Sequence, residues 1–206
     1  MDKFFSKYLD ESDLHALSSA VHTGYWSVEH LFEVNTILGR FPPGLDQRPR
    51  LINVFVEYYL TKISNKGFRS EIKKNHARNC NHVRLYKDDL TITQHFLGST
   101  SPRSMARKAI YRGVLTALNY DLFSSFEEEE TDHDLYGHLY HYGLKNPEVV
   151  MLAVPDTNQG KILGKPLLLP KIEKQQEKES VEEIKDTIEH VLKEALHEDQ
   201  RKEKTS

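Results

Sequence analysis

The chain has 206 residues, of which 38% are hydrophobic and 29% charged, and this length fits one domain with a tail. Its formal net charge of −3 is close to neutral, which excludes a global charge bias toward nucleic acid or anionic membranes. The one cysteine, Cys80, excludes a disulfide framework within the chain. No apolar stretch approaches the ~18 residues of a membrane span and the first residues lack a signal peptide's apolar run, so we expect a cytoplasmic protein that enters no membrane.

Apolar residues at helical spacing predict three N-terminal helices, at residues 10–21, 27–38 and 50–64. Asp10 or Ser12 caps the first helix, because a short polar side chain satisfies the free N–H groups at a helix start. Gly24 is expected to break the chain before the second helix begins. Pro49 marks the start of the third helix, since proline is favoured in the first helical turn.

A β-hairpin is predicted where polar and apolar residues alternate with a period of two, over residues 81–86 and 90–97. Asp88 and Asp89 suit a two-residue turn between them. That turn length pairs Leu85 with Ile92 on an apolar face, and the opposite face becomes uniformly polar. The residues expected to be displayed on the polar side are His82, Arg84, Tyr86, Thr91, Thr93 and His95.

Further along, the pattern predicts a helix at 102–119, a second hairpin at 135–142 and 148–154, and a last strand at 162–169. Residues 149–154 are apolar at every position, which is typical of a central strand that is buried on both faces. His138 and His141 lie three residues apart in the preceding strand, so they point to opposite faces and cannot easily bind one metal.

These elements predict an α+β domain at residues 1–170: N-terminal helices, then a mixed or antiparallel sheet of about four to six strands, with the 102–119 helix packed on it. Residues 171–206 form a charged tail. Its apolar residues fall at three- and four-residue steps, which indicates a C-terminal amphipathic helix that docks on the body or pairs with a second copy through residues 181–197. Those residues are Val181, Ile184, Ile188, Val191 and Ala195.

The strongest functional signal is a basic segment, because residues 62–112 hold twelve Lys and Arg and three acids. Within it, residues 98–104 form a donor-rich loop with Pro102 at the first helical position, and free backbone N–H groups at a helix start bind phosphate. An ordinary capped helix, with its arginines paired to Glu127–Glu130, is the alternative. The candidate phosphate ligands are Ser99, Thr100, Ser101, Arg103, Arg107, Lys108 and Arg112, with Arg84, Lys73, Lys74 and Arg78 from the strands and loop before them.

The spacing of His76, Cys80 and His82 fits no standard zinc pattern, so we predict no metal site. On the polar face of the hairpin, the candidate ligands for a metal are His82 and His95. Magnesium is implied only if the protein is a metal-dependent nuclease, since hard cations take carboxylate ligands.

The order helix, strands, helix, strand after Pro49 resembles the core of the restriction-endonuclease-like family. That family places a Glu on the first helix, an Asp at the second strand and an acid-x-Lys in the third. Glu57 matches the helix acid, and Asp88 or Asp89 are the candidates for the second. The third strand reads Thr91-Ile-Thr-Gln-His and holds no acid-x-Lys, so the resemblance is one of topology.

We therefore expect a binding protein for a phosphate-bearing ligand, with nucleic acid first, and the sequence favours binding over catalysis. A metal-dependent nuclease or phosphodiesterase that uses Glu57, Asp88 or Asp89 is the first alternative. The second is a regulator or inhibitor of another protein, which the adjacent basic and acidic segments and the amphipathic tail suggest.

Overall fold

The computed structural model describes residues 4–75, 80–98, 110–119, 134–156 and 161–173. They form an α+β fold in which four helices precede a six-stranded mixed sheet. The helices are α1 (Glu11–Val34), α2 (Thr36–Arg40), α3 (Pro42–Leu45), α4 (Arg48–Lys62) and α5 (Ile110–Thr116), with 3-10 turns at Ile63–Lys66 and Ala117–Asn119. The strands are β1 (Arg69–Lys74), β2 (Asn81–Lys87), β3 (Leu90–Phe96), β4 (Leu135–Tyr142), β5 (Val149–Pro155) and β6 (Ile162–Leu168).

The described residues up to Ile172 belong to one compact unit. The predicted tail helix and the first half of the predicted 102–119 helix lie outside the described residues. In the part of the chain that the structure describes, no helix has both the length and the apolar composition of a membrane crossing.

Helix α1 is continuous through Gly24, so the predicted break there is wrong. It starts as predicted at Asp10, whose carboxylate accepts the backbone N–H of Asp13 while the Asp13 carboxylate accepts that of Asp10. Gly24 is buried where α1 crosses α4, and a methyl group there would lie 2.9 Å from the Cα atom of Val56. The glycine is therefore explained by the close approach of two helices and not by a turn.

The six strands lie in sequence order, and every neighbouring pair is antiparallel except β3 and β4, which are parallel. The predicted hairpin register is confirmed: Arg84 pairs with Thr93 and Leu85 with Ile92, around a turn in which Asp88 has a φ of 49°. A parallel pair requires the chain to cross over the sheet between its strands. Helix α5 lies in that crossover.

The second predicted hairpin is also confirmed, as the antiparallel pair β4 and β5. Six of the seven residues of β5 are buried, as expected for a strand with neighbours on both sides and packing on both faces. His138 and His141 lie on opposite faces of β4, as predicted, since their odd spacing in a strand requires it.

One face of the sheet packs on α1 and α4 and forms the apolar core. Val83, Leu85, Ile92, Leu139 and Leu152 point to this side and are at most 5% exposed. Gly137 belongs to the same side, where a Cβ atom would lie 3.0 Å from the Phe5 ring. The alternate residues of these strands lie on the opposite face, where Arg112 of α5 contacts His95.

Replacing Gly24 with alanine will destabilise the protein, although alanine is the better helix former by about 1 kcal/mol. The new Cβ would occupy the space of the α4 backbone at Val56, and overpacking of this kind costs about 1–3 kcal/mol. Urea unfolding measures the change. Glu33→Ala, at an exposed position of the same helix, is the control and changes stability by less than about 0.5 kcal/mol. A gain in stability for G24A would contradict the close helix contact.

Candidate functional site

Over strands β1 to β4, the face of the sheet opposite the apolar core carries mostly polar side chains, whereas Met151 and Ala153 of β5 continue the same face with apolar ones. Strand register places these side chains in rows across the sheet. One row contains Glu71, Arg84, Thr93 and His138. Lys73 lies beside His82, and His95 lies beside Tyr140. We call this surface the polar face. It comprises Arg69, Glu71 and Lys73 of β1, His82, Arg84 and Tyr86 of β2, Thr91, Thr93 and His95 of β3, and Tyr136, His138 and Tyr140 of β4.

The prediction that the polar residues of the first hairpin share one face is confirmed, but the expectation that this face is displayed to water is wrong for its centre. His82, Thr91 and Thr93 are 6%, 8% and 2% exposed. Arg112 of α5, which is 5% exposed, lies against the same face. Among the described residues, the polar face is thus buried at its centre and more exposed at its β1 edge, where Arg69 and Lys73 lie.

Two arginines on the polar face each donate to a histidine ring. The Nη1 atom of Arg112 lies 3.1 Å from Nδ1 of His95, and Nε of Arg84 lies 3.2 Å from Nε2 of His82. Because a guanidinium group can only donate, both ring nitrogens must accept. A neutral imidazole carries one proton, so His95 holds it on Nε2 and His82 on Nδ1.

Burial and the nearby arginines keep these imidazoles uncharged. Burial first, then the charges of Arg84 and Arg112, lower the pKa of His82 to about 4. Burial and the charge of Arg112 lower the pKa of His95 to about 4. The pKa of His138 is held well below its usual value by burial and by the charge of Arg112. The charge of Arg112 therefore adds to the effect of burial in lowering the pKa of all three histidines of the polar face.

Behind this pair of contacts lies a fully buried chain of hydroxyl and imidazole groups. The Tyr136 hydroxyl lies 2.7 Å from Oγ1 of Thr93 and 2.8 Å from Nε2 of His138, and Nδ1 of His138 lies 2.5 Å from the Tyr140 hydroxyl. The His95 ring meets the Tyr140 ring edge-on, with centroids 6.2 Å apart. Hydrogen-bonded and packed on all sides, this chain holds the His95 end of the polar face in one arrangement.

The β1 edge of the polar face is open and carries further cations. The Arg69 guanidinium lies 4.5 Å above the centre of the Tyr86 ring, and the Tyr86 hydroxyl donates to Glu71 over 3.3 Å. Lys73 forms an ion pair with Glu71, and both side chains are 42% exposed. Glu71 thus offsets part of the positive charge at this edge.

A second buried polar cluster lies on the helix side of the same strands. Nε2 of Gln94 donates to Oε1 of Glu57 over 3.0 Å, and Oε1 of Gln94 lies 2.8 Å from Nε2 of His141. Since that amide oxygen can only accept, His141 carries its proton on Nε2. The Tyr25 hydroxyl, 3.1 Å from Nδ1 of His141, therefore donates to it. The hydrogen bonds run in one direction from Tyr25 to Glu57.

Glu57 is the member of this second cluster that can change its charge near neutral pH. Burial raises its pKa to about 7, although hydrogen bonds from Gln94 and from the backbone of Val83 favour the ionised form. Burial lowers the pKa of His141 to about 3, so this ring stays neutral.

Of the residues predicted to bind phosphate, the structure brings Arg84 and Arg112 together on the polar face, with Lys73 at its edge. Lys74 follows Lys73 in β1 and belongs to the other face. The other predicted phosphate ligands lie outside the described residues: Arg78, Ser99, Thr100, Ser101, Arg103, Arg107 and Lys108.

The candidate carboxylates of a nuclease are not gathered by the described fold. Asp88 and Asp89 form the turn between β2 and β3, whereas Glu57 contacts Gln94. Gln94 is five residues from Asp89, about 17 Å along the strand. Among the described residues, no group of three or more His, Cys, Asp or Glu side chains is placed to hold a metal ion.

The sequence prediction missed the tyrosines and the glutamine of the two clusters. In β4, Tyr136, His138 and Tyr140 alternate with Leu135, Gly137 and Leu139. This period of two predicts that the two tyrosines and His138 share one face of the strand. In β3, Gln94 breaks an otherwise apolar alternation of Leu90, Ile92 and Phe96. A polar residue at a core position is the sign of a buried hydrogen-bonded partner.

Comparisons with protein-family models, with curated proteins and with solved structures find no match to this chain. The described elements α4, β1 to β3, α5 and β4 keep the order on which the sequence resemblance to restriction-endonuclease-like cores rested, but no family model or solved structure supports that resemblance. Strand β3 holds no acid-x-Lys in that order. The function must therefore be argued from the chemistry of the polar face.

The contribution of protonated Glu57 to stability will be lost as the pH rises from 5 to 8, so the free energy of unfolding of the wild type will fall relative to that of Glu57→Gln over this range. The buried neutral histidines act in the opposite sense in both proteins and cancel in this comparison. The folded state raises the pKa of Glu57 from 4.5 to about 7, so the protonated form is favoured by folding. Its contribution is complete below pH 4.5 and is lost as the pH rises through 7, by on the order of 2–3 kcal/mol.

Urea unfolding at several pH values measures this difference between wild type and E57Q. Glu33→Gln, at an exposed position of α1, should keep the wild-type pH dependence. A stability difference between wild type and E57Q that stays constant from pH 5 to pH 8 would show that Glu57 does not titrate with a raised pKa.

Proposed function

We propose that the protein binds a phosphate-bearing ligand on the polar face, with nucleic acid as the first candidate. The observation that carries the proposal is the convergence of Arg84 and Arg112, whose guanidinium groups donate to His82 and His95. An imidazole that accepts a hydrogen bond brings no negative charge of its own. The contacts to these rings therefore orient the two guanidinium groups on the polar face.

Electrostatics support an anionic ligand. Burial first, and then the charge of Arg112, lowers the pKa of His82, His95 and His138, so part of each shift comes from a nearby positive charge. A phosphate group gains most from donors that are held in place where water is largely excluded. Arg84 uses its Nε atom for His82, and that contact leaves its two Nη groups with the forked geometry that binds phosphate oxygens in pairs.

A polymer fits the polar face better than an isolated phosphate ion. Cationic side chains continue from Arg112 through Arg84 to Lys73 and Arg69 at the β1 edge. Neighbouring strands lie about 4.8 Å apart, so this row spans more than one phosphate of an extended strand. Arg69, which lies over the Tyr86 ring, presents a guanidinium plane on which an unpaired base can stack.

Arg84→Gln will weaken binding to single-stranded DNA or RNA about tenfold at low salt, because a charge-assisted hydrogen bond to phosphate is lost. The slope of log affinity against log salt concentration will fall by about 1. Fluorescence anisotropy with single-stranded DNA, duplex DNA and RNA, each with and without Mg²⁺, measures both quantities. Arg50→Gln, at an exposed position of α4 on the other side of the sheet, should leave them unchanged.

Equal losses in the Arg84 and Arg50 variants would contradict a site on the polar face. Absence of binding to all three probes would favour the protein-interaction alternative. That alternative is supported by exposed apolar side chains from the end of α1 to α3, namely Val34, Ile37, Phe41 and Leu45.

A further inference from the structure

A groove lies between helices α1 and α4, on the side of the sheet away from the polar face. The two helices run antiparallel, because Glu29 pairs with Arg48 near one end of their contact and Gly24 meets the backbone of Val56 further along. Beyond that point, toward the start of α1 and the end of α4, a space of about 460 Å³ lies between them. A volume of this size is typical of a site that holds a small molecule.

Small side chains on α1 create the groove. Five of them recur at three- and four-residue steps, so they share the face of the helix that lines this space. They are Ser12, Ala16, Ser19, Ala20 and Thr23. Small residues between helices usually serve close approach, as Gly24 does against Val56. Here the same kind of residue lines an open space instead, which is the arrangement that a ligand requires.

The lining changes from apolar to polar between the base of the groove and its rim. Ala16, Ala20 and Ile63 are buried and form the apolar part. Ser19 and Thr23 are half-buried and bring hydroxyl groups, which can donate or accept hydrogen bonds. The groove therefore suits a molecule with an apolar body and with polar groups along one side.

The charge of the lining favours an anion. His15 and Lys62 line the groove and are exposed, and none of the described residues that line it is an acid. Among the described residues, neither side chain forms an ion pair. The Lys62 ammonium lies 4.7 Å from the centre of the Tyr58 ring, and such a contact positions a cation without an acid.

Neighbouring contacts hold the groove in one shape. The Tyr59 hydroxyl lies 2.8 Å from Oγ of Ser27, and the Tyr59 ring meets the Tyr58 ring edge-on with centroids 5.3 Å apart. At the start of α1, the buried carboxylate of Asp13 pairs with Lys87 of β2, so this acid is directed to the sheet and not to the groove. A site that is already formed loses little entropy when a ligand binds.

We propose that the groove between α1 and α4 binds a small organic anion, whose acidic group meets Lys62 and His15 and whose apolar body lies over Ala16 and Ala20. A carboxylate and a phosphate share the chemistry that these basic groups recognise. The groove is separate from the polar face, so this inference goes beyond the function proposed for that face and does not depend on it.

The test uses two fluorescent probes with the same rings, anilinonaphthalene sulfonate, which is an anion, and phenylnaphthylamine, which is uncharged. We expect saturable binding of the anion, about tenfold tighter than that of the uncharged probe. Lys62→Gln should abolish this preference. Arg50→Gln removes an exposed cation from the other end of α4 and should keep it. Octanoate and octyl phosphate serve as competitors, and the one that displaces the probe at the lower concentration identifies the preferred acidic group.

Ser19→Leu tests the location, because a leucine at this position occupies the space of the groove and should remove binding of both probes. Ser19→Ala leaves the groove open and should keep binding. In the wild-type protein, which keeps the inference testable where Ser19→Leu fails to fold, the His15 ring NMR signal should shift with the anionic probe while those of His95 and His138 stay in place.

Four results would overturn the inference: absence of saturable binding, equal binding of the charged and uncharged probes in the wild type, a preference that Lys62→Gln leaves unchanged, and a His15 signal that does not move at saturation. A probe that neither competitor displaces would also overturn it. Each of these results would leave the function proposed for the polar face untouched, because that function is measured with oligonucleotides and Arg84→Gln.

Discussion

The parallel pairing of β3 with β4 brings together the central residues of both polar clusters. The two strands pair without interruption from Leu90 and Leu135 to Phe96 and His141, so each residue of β3 lies directly beside one residue of β4. On one face this pairing joins Gln94 to the His141 cluster, and on the other it places His95 beside Tyr140. A shift of one residue would exchange the two faces and separate both clusters.

Because both strands are central, polar side chains on either face leave water and must find partners within the fold. On the helix side, Tyr25, His141, Gln94 and Glu57 satisfy one another in a single direction. On the polar face, neutral histidines accept hydrogen bonds from Arg84 and Arg112, which fixes the rings. The first cluster therefore joins neutral groups to one carboxyl group, whereas the second joins neutral rings to cations.

Local pattern was enough to predict the first hairpin, its register and the opposite orientations of His138 and His141, because alternation and turn length act within a few residues. Gly24 was misinterpreted because its role depends on where α4 packs, which local sequence does not contain. The clusters around Gln94 and Arg112 were missed as clusters for the same reason: their members come from elements joined by the β3–β4 crossover. Arg84 and Arg112 were named from charge, but burial of the polar face was not foreseen.

The most direct test of the polar face as a binding surface is the histidine ring NMR spectrum during titration with a single-stranded oligonucleotide. His82, His95 and His138 lie on the polar face, whereas His15 and His22 belong to α1 on the other side of the sheet. The account predicts that signals of the first three rings shift together and saturate while those of His15 and His22 stay in place. Saturable binding that shifts only His15 or His22 would contradict it.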